Sequence, residues 1–430
     1  MKFSPNGEYL ASGGEDGVVR IWRVISLDTS TALDSFISKV TEDISSSWKK
    51  RSSQPHIFLP KKVLQLEETP LHEFYGHSSD ILDLAWFNSD ILLSASMDKT
   101  VRLWRVGCNQ CLSVFPHKDY VTCIQFNPVD ENYFISGSID GKVRVWGTYE
   151  GRVVDWADAR DVITAISYQP DGKGFIVGSL TGTCRFYVAS GKYFQLEAQI
   201  DIDGKKKTAG NKITGIQFSQ DKHQRVMISS EDSKLRILDG INVVQKYRGL
   251  PKSGSQMSGS FTCSGRHIIS VGEDCRVYAW NYREMENASL KQKKSERSCE
   301  YFFSEGVTVA VPWSAMTREQ KISQSPCNSA HCRSEMQDHI CVRELERFSF
   351  GNWFSIDATC RVSTTWPEEK LPIWDFPFRE GEYDQHRQSA EDPCQCHHSS
   401  LSETWGLSIV TADCDGTIKT FHNLGLPVRL

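Results

Sequence analysis

The 430-residue chain can bury a sizeable core, because 39% of its residues are hydrophobic and 24% are charged. Its formal net charge of −5 gives no global attraction to nucleic acid or to an anionic membrane, and it has neither the apolar run of a membrane span nor the apolar core of a signal peptide. The fourteen cysteines are scattered, which favours buried, reduced thiols. We therefore expect a cytoplasmic protein without membrane insertion.

One pattern recurs along the chain, a turn aspartate followed six residues later by a tryptophan. It is present in MKFSPNGEYLASGGEDGVVRIW, which runs from Met1 to Trp22, and returns in SASMDKTVRLW, SGSIDGKVRVW and SVGEDCRVYAW. Weaker copies keep the spacing with other residues, as in TGTCRFY, DSKLRIL and DGTIKTF. In chain order, the seven turns are centred on Asp16, Asp98, Asp140, Thr181, Asp232, Asp274 and Asp415.

Apolar residues alternate with polar ones around each turn, as at Val101 and Leu103, which predicts short antiparallel strands. A further strand precedes each turn, for example ILDLAWF, which begins at Ile81. The turns at 98, 140 and 181 lie 42 and 41 residues apart. Four strands per unit at this period are typical of propeller blades. The sequence therefore predicts an all-β protein, a single seven-bladed β-propeller over residues 1–430.

Two long loop insertions interrupt the predicted ring. Residues 26–69 are polar, and residues 314–403 form an insertion within blade seven that we expect to be disordered in part. Blade one is predicted to be truncated, because Met1-Lys2-Phe3 aligns with the end of an innermost strand and no Gly-His pair precedes it. Either the natural start lies upstream of Met1, or the chain is a short form whose first blade is loose.

The Gly-His pair, apolar strand, turn aspartate and tryptophan together resemble the WD-repeat β-propeller family, and blade two resembles it most. In that family the histidine, aspartate, hydroxyl and tryptophan of a blade form one buried chain of hydrogen bonds. The resemblance implies structural tetrads, complete or partial, at His77, Ser94, Asp98, Trp104, His117, Ser136, Asp140, Trp146, Ser12, Asp16, Trp22, Ser270, Asp274, Trp280, Thr411 and Asp415. A catalytic Ser-His-Asp interpretation is disfavoured, because these serines would be buried in strands.

Four stretches resemble a narrower group, a plant branch of the family related to the vertebrate WD-repeat effector of the recycling-endosome Rab GTPase. They are ETPLHEFYGHSSDILDLAW, GKKKTAGNKITGIQFS, SGSQMSGSFT and HNLGLPVRL. The resemblance implies a trafficking-associated adaptor that is peripheral on endomembranes. In the vertebrate relative the GTPase-binding segment lies upstream of the propeller, so Rab binding by residues 1–430 stays open.

In the family, partners often contact the loops before the innermost strands and the turns between the second and third strands. This implies a candidate partner-binding face formed by Asp80, Met97, Asp119, Tyr120, Ile139, Asp161, Leu180, Glu231 and Glu273. Its acidic side chains favour a basic partner peptide, with Tyr120 and Met97 as apolar anchors. We expect a non-enzymatic interaction scaffold, monomeric within a larger assembly. A nucleic-acid or chromatin-associated reader and a propeller-based hydrolase are the alternatives.

No cofactor or metal site is expected. Cys394, Cys396, His397 and His398 are too crowded for one regular zinc tetrahedron. The Cys108-x-x-Cys111 pair lacks the strand-to-helix setting of a redox motif. The GKKK run at 204–207 is interpreted as solvated charge, with a phosphate or acidic-partner contact as the alternative.

Overall fold

The structure is a computed structural model. It describes residues 1–28, 62–190, 193–202, 210–219, 225–248, 250, 258–282, 294–297, 300–313, 348–349, 352–355, 406–424 and 428–429. Those residues form strands and turns without any helix, and hence without a helix that could span a membrane. The predicted all-β, seven-bladed propeller is confirmed.

Seven sheets follow one another along the chain. Blade one contains β1 (Lys2–Phe3), β2 (Tyr9–Ser12), β3 (Val19–Asp28), β4 (Lys62–Leu66) and β5 (His72–Phe74). Blade two contains β6 (Ile81–Trp86), β7 (Ile91–Ser96), β8 (Thr100–Arg105) and β9 (Ser113–Pro116). Blade three contains β10 (Val121–Phe126), β11 (Tyr133–Ser138), β12 (Lys142–Gly147) and β13 (Arg152–Asp158). Blade four contains β14 (Ile163–Tyr168), β15 (Gly174–Ser179), β16 (Thr183–Ser190) and β17 (Tyr193–Asp201).

The remaining blades include strands from distant parts of the chain. Blade five contains β18 (Ile213–Phe218), β19 (Val226–Ser230), β20 (Lys234–Asp239), β21 (Asn242–Arg248) and, as a fifth strand, β25 (Lys294–Arg297). Blade six contains β22 (Ser260–Phe261), β23 (His267–Val271), β24 (Arg276–Asn281) and β26 (Glu300–Phe303). Blade seven contains β27 (Val307–Pro312), β29 (Asn352–Ser355), β30 (Ser408–Asp413) and β31 (Ile418–Leu424). A separate pair joins β28 (Phe348–Ser349) to β32 (Val428–Arg429).

Strands of the two predicted insertions complete blades one and seven. In the stretch 26–69, β3 continues to Asp28 and pairs with β4. In the stretch 314–403, β29 pairs with β31 as the outermost strand of blade seven. Residues 29–61, 314–347 and 356–403 lie outside the described residues.

Each of the seven sequence turns lies between the second and third strands of its blade, and the residue after it has a positive φ. Four of these residues are glycines, which adopt this conformation without a Cβ penalty. The other three are Lys99, Ser233 and Cys275, with φ of 67°, 58° and 58°. The tight turn therefore tolerates side chains that the left-handed conformation disfavours.

Innermost strands of neighbouring blades are joined by side chains that hydrogen-bond to the next backbone. The Gln125 Oε1 accepts from the Tyr168 amide at 2.6 Å, and the Asp83 Oδ2 accepts from the Ile124 amide at 2.9 Å. The Thr122 hydroxyl donates to the Ile163 carbonyl at 2.7 Å. These bonds satisfy polar groups at the centre of the ring, where blades cannot pair as one continuous sheet.

The ring closes where blade seven meets blade one. Leu10, Leu64 and Val410 are fully buried together in one cluster. The Trp313 indole on blade seven donates to the Gly7 carbonyl on blade one at 3.1 Å. Because β4 supplies Leu64, this strand is part of the closure.

We expect Gln125→Leu to lower the free energy of unfolding by about 1–3 kcal/mol, because it leaves the Tyr168 amide without its acceptor. Chemical denaturation measures the change. Gln199→Leu, at an exposed position on β17, is the matched control and should stay within about 0.5 kcal/mol of the parent. Equal stability of the two variants would contradict a role for the inter-blade bond.

Candidate functional site

Blade two contains the complete hydrogen-bonded chain. The Trp104 indole donates to the Ser94 hydroxyl at 2.8 Å, and that hydroxyl lies 2.7 Å from the His77 Nε2. The His77 Nδ1 lies 2.7 Å from the Asp98 carboxylate, which also accepts from the Thr100 hydroxyl at 2.7 Å. A neutral histidine protonated at Nδ1 satisfies every member of this chain.

The protonation of the pair follows from its surroundings. Burial lowers the pKa of His77, and Asp98 acts in the opposite direction. Burial acts to raise the pKa of Asp98, but hydrogen bonds from Thr100 and His77 outweigh it and lower that pKa. Although Ser94, His77 and Asp98 have the connectivity of a catalytic triad, the Ser94 side chain is fully buried and is already bound by Trp104. Substrate therefore has no access to this hydroxyl.

Blade three contains three connected members of its tetrad. The Trp146 indole and the His117 Nε2 both contact the Ser136 hydroxyl, at 2.9 and 2.7 Å. The His117 Nδ1 donates to the Phe115 carbonyl at 3.0 Å instead of reaching Asp140. Asp140 binds the guanidinium of Arg144 at 2.5 Å. A charged, bidentate partner four residues along the chain replaces the histidine.

In blades one, six and seven the expected tetrad residues are present but differently bonded. In blade one the Trp22 indole donates to Ser12 at 2.9 Å, and Asp16 binds Arg20. In blade six the Trp280 indole donates to the Arg248 carbonyl, Asp274 accepts from the Tyr278 hydroxyl, and the buried Ser270 hydroxyl has no partner among the described residues. In blade seven Thr411 lies 3.4 Å from Ser304, and Asp415 is exposed and accepts from the Thr417 amide.

Blade four replaces the polar chain with packing. Counted from the turn residue Thr181 with the spacing of blade two, the serine and tryptophan positions hold Val177 and Tyr187. Ala159 lies four residues before the innermost strand β14, as His77 lies four residues before β6. All three of these blade-four residues are buried. The hydroxyl of the turn residue Thr181 donates to Asp161, a residue of the loop before β14. In blade four the carboxylate therefore belongs to the loop instead of the turn, and a side-chain hydrogen bond still joins the loop to the turn.

The nine residues of the candidate partner-binding face lie at one end of the ring. Backbone bonds join the two kinds of loop: the Met97 amide donates to the Asp80 carbonyl at 3.0 Å, and the Ile139 amide to the Tyr120 carbonyl at 3.1 Å. Tyr120, Leu180 and Glu273 are exposed. The others are half-buried, as follows: Asp80, Met97, Asp119, Ile139, Asp161 and Glu231.

This face carries a basic side chain as well as the acidic side chains predicted from the sequence. The Lys99 ammonium lies 4.0 Å from the Asp119 carboxylate and 5.9 Å from the centre of the Tyr120 ring. Burial acts to raise the pKa of Asp161, but hydrogen bonds from Thr181 outweigh it and lower that pKa. The residues predicted for this face did not include Lys99. Its position directly after the turn residue Asp98 could have placed it there.

The described part of the chain holds no group of three or more potential metal ligands. Cys108 and Cys111 are half-buried free thiols, and the Cys111 thiol donates to the Ser113 carbonyl at 3.2 Å. Cys394, Cys396, His397 and His398 lie outside the described residues, as does the 204–207 run.

We expect Asp98→Ala to lower the free energy of unfolding by about 1–3 kcal/mol, because His77 and Thr100 lose a buried acceptor. Thermal or urea unfolding measures the loss. Asp415→Ala removes the exposed turn aspartate of blade seven and should change stability by less than about 0.5 kcal/mol. An unchanged transition for Asp98→Ala would refute the structural role of the tetrad.

Stability should fall as the pH is lowered from about 6.5 to 4. Burial lowers the pKa of both His117 and His422 to about 4. These folded-state pKa values lie below the usual value of about 6.5. Between pH 6.5 and pH 4 the unfolded chain therefore binds more protons than the folded chain, and the free energy of unfolding falls as the pH is lowered. His117→Gln should make the pH dependence of unfolding shallower, and an unchanged slope would contradict this.

The sequence is similar to several known proteins. Residues 1–23, 68–105 and 109–147 match the WD40 family, described as WD domain, G-beta repeat. The chain is 33% identical over 305 residues to WD repeat-containing protein 44 of Xenopus laevis, a match covering 65% of this chain and 33% of that protein. It is also 26% identical over 301 residues to an uncharacterized WD repeat-containing protein of Schizosaccharomyces pombe. This match covers 68% of this chain and 49% of that protein.

A shorter match relates the chain to a component of chromatin assembly factor 1 of Mus musculus, with 31% identity over 136 residues, 30% of this chain and 20% of that protein. The matched part of the chain thus spans half or less of the length of these curated relatives. Taken with the seven sheets, the matches show that the chain forms a seven-bladed β-propeller with WD40 repeats.

Proposed function

We propose that the protein is a non-enzymatic scaffold that holds partner proteins on its candidate partner-binding face, called the loop face below. The observation that carries this proposal is the loop face itself, where two sets of loops are fixed by backbone hydrogen bonds and present side chains at one end. The Ser94–His77–Asp98 chain is buried, which weakens the hydrolase alternative. WD-repeat relatives act generally as interaction scaffolds, and this agrees with the proposal.

The chemistry of the face favours a basic partner segment. Asp80, Glu231 and Glu273 stand on separate blades around the ring, where an extended peptide could meet several of them. Tyr120 offers an exposed aromatic ring beside Lys99, suited to an apolar or aromatic side chain of the partner. Binding would thus depend on several loops at once, and the rigid blades would keep their spacing.

A role in small-GTPase-linked membrane trafficking is the finer form of the proposal. It is supported by the sequence resemblance to the Rab-effector group and by the similarity to WD repeat-containing protein 44 over 65% of the chain. The protein would then be cytoplasmic and peripheral on endomembranes. The match to a component of a chromatin assembly factor favours a chromatin-associated role as the second candidate.

The double variant Asp80→Lys with Asp119→Lys should lose at least nine tenths of its main co-purifying partner in a quantitative pulldown, because two carboxylates on the face become ammonium groups. The matched control is Asp90→Lys with Asp171→Lys, which places the same charges in loops at the other end of the ring. Both variants should retain the parent melting temperature within a few degrees. Unaltered recovery with the first variant would place the partner site elsewhere.

Two direct assays separate the finer alternatives. Binding of the purified chain to the GTP-loaded recycling-endosome Rab GTPase, and its absence with GDP, would support the trafficking role. A gel shift with duplex DNA that weakens steeply with salt would favour the chromatin role instead.

A further inference from the structure

One residue of each blade stands immediately before the turn residue, at the end of the ring that holds the loop face. In five blades the backbone amide of this residue donates to a carbonyl of the loop before the innermost strand, at 2.9 to 3.1 Å. The five donors are Met97, Ile139, Leu180, Glu231 and Cys414. In blades one and six the same position holds Glu15 and Glu273. Because the position repeats in every blade, these residues follow one another around one end of the propeller.

Three consecutive blades have an apolar residue at this position. We call Met97 of blade two, Ile139 of blade three and Leu180 of blade four the apolar arc. Leu180 is 45% exposed, and the other two are half-buried. Tyr120, whose carbonyl accepts from the Ile139 amide, adds a side chain that is 40% exposed. Since the same backbone bond fixes all three residues on neighbouring blades, the apolar arc is one surface, suited to an apolar stretch of a partner.

Acidic residues lie on both sides of the apolar arc. On one side Glu15 of blade one is exposed. The Ile81 amide donates to the Gly14 carbonyl at 3.0 Å, which brings the loop that contains Asp80 close to Glu15. On the other side, blades five and six hold the half-buried Glu231 and the exposed Glu273.

The carboxylates on the two sides are available to a partner. Among the described residues, the side chains of Glu15, Glu231 and Glu273 form neither an ion pair nor a hydrogen bond. A cationic partner would therefore meet carboxylates that no other side chain neutralises.

The carboxylates beside the apolar arc itself are engaged differently. Asp119 lies 4.0 Å from the Lys99 ammonium, and Asp161 accepts from the Thr181 hydroxyl. A second cation near Asp119 would also be repelled by Lys99. The centre of the arc therefore favours apolar side chains, whereas its two sides favour basic ones.

We propose that the loop face binds an extended segment of a partner protein that has an apolar centre and basic residues at both ends. This inference rests on the proposed scaffold function and names the chemistry of its partner. The apolar centre covers Ile139 and Leu180. Basic side chains approach Glu15 at one end of the segment, and Glu231 and Glu273 at the other. The order of charges along the segment thus determines affinity, in addition to the net charge.

The test uses the full chain and three fluorescent peptides of equal length, followed by anisotropy. The first peptide has three lysines at each end and leucine alternating with serine between them. The second has the same composition with the lysines in the centre, and the third has glutamate in place of lysine. The first should bind at least tenfold more tightly than the second and the third. Equal binding of the first two would overturn the proposal, because the order of charges would then be irrelevant.

Glu231→Gln with Glu273→Gln should weaken binding of the first peptide at least tenfold, because one side of the arc loses both carboxylates. The matched control is Glu8→Gln with Glu131→Gln, which removes two exposed carboxylates from loops at the other end of the ring. The control should change binding less than twofold. Equal effects of the two double variants would overturn the proposal.

Leu180→Ser should also weaken binding of the first peptide at least tenfold. Its control is Val129→Ser, which changes another exposed apolar residue, in a loop at the other end of the ring, and should leave binding within twofold. Unchanged binding by Leu180→Ser would overturn the proposal. A concentration-dependent dimer that Leu180→Ser abolishes would also overturn it, since the occupant would then be a second copy of this chain.

The proposed function and this inference fail in distinguishable ways. If Asp80→Lys with Asp119→Lys loses the partner in the pulldown but the first two peptides bind equally, the loop face remains the partner site and only the inference is wrong. Unaltered recovery of the partner in that pulldown would overturn the proposed site, and this inference with it.

Discussion

Each blade depends on the packing of its two faces against its neighbours, because a lone four-stranded sheet leaves both faces exposed to water. In this ring the apolar clusters lie between blades; for example, Phe115 of blade two packs with Phe134 and Trp146 of blade three. At the centre, side chains such as Gln125 bond to the next innermost strand. The rigidity of the loop face follows from this mutual support, since the loops are fixed at both ends by packed strands.

The hydrogen-bonded tetrad is a local addition to that packing. Blade two has the whole chain from Trp104 to Asp98, and blade three has it only as far as His117. Blade four fills the corresponding positions with buried Ala159, Val177 and Tyr187 and still forms a four-stranded sheet. Burial of apolar surface therefore suffices for a blade, and the polar chain ties the turn to the preceding loop where it is present.

The repeat spacing predicted the number of blades and the location of the turns, because the turn geometry and the strand alternation act over a few residues. It could not predict the partner of Asp140, which depends on competition between His117 and Arg144 for one carboxylate. It also missed β4 and β29 within the insertions, since short outer strands have no turn residue to mark them.

A ring closed through blades one and seven is the condition for a rigid loop face. Hydrogen–deuterium exchange of the native chain measures it most directly, with β2 of blade one and β30 of blade seven compared with β11 of blade three. These strands occupy equivalent positions, so closure predicts slow exchange of similar rate in all three. Exchange of β2 and β30 at rates close to those of unprotected amides, with β11 still protected, would contradict a closed ring.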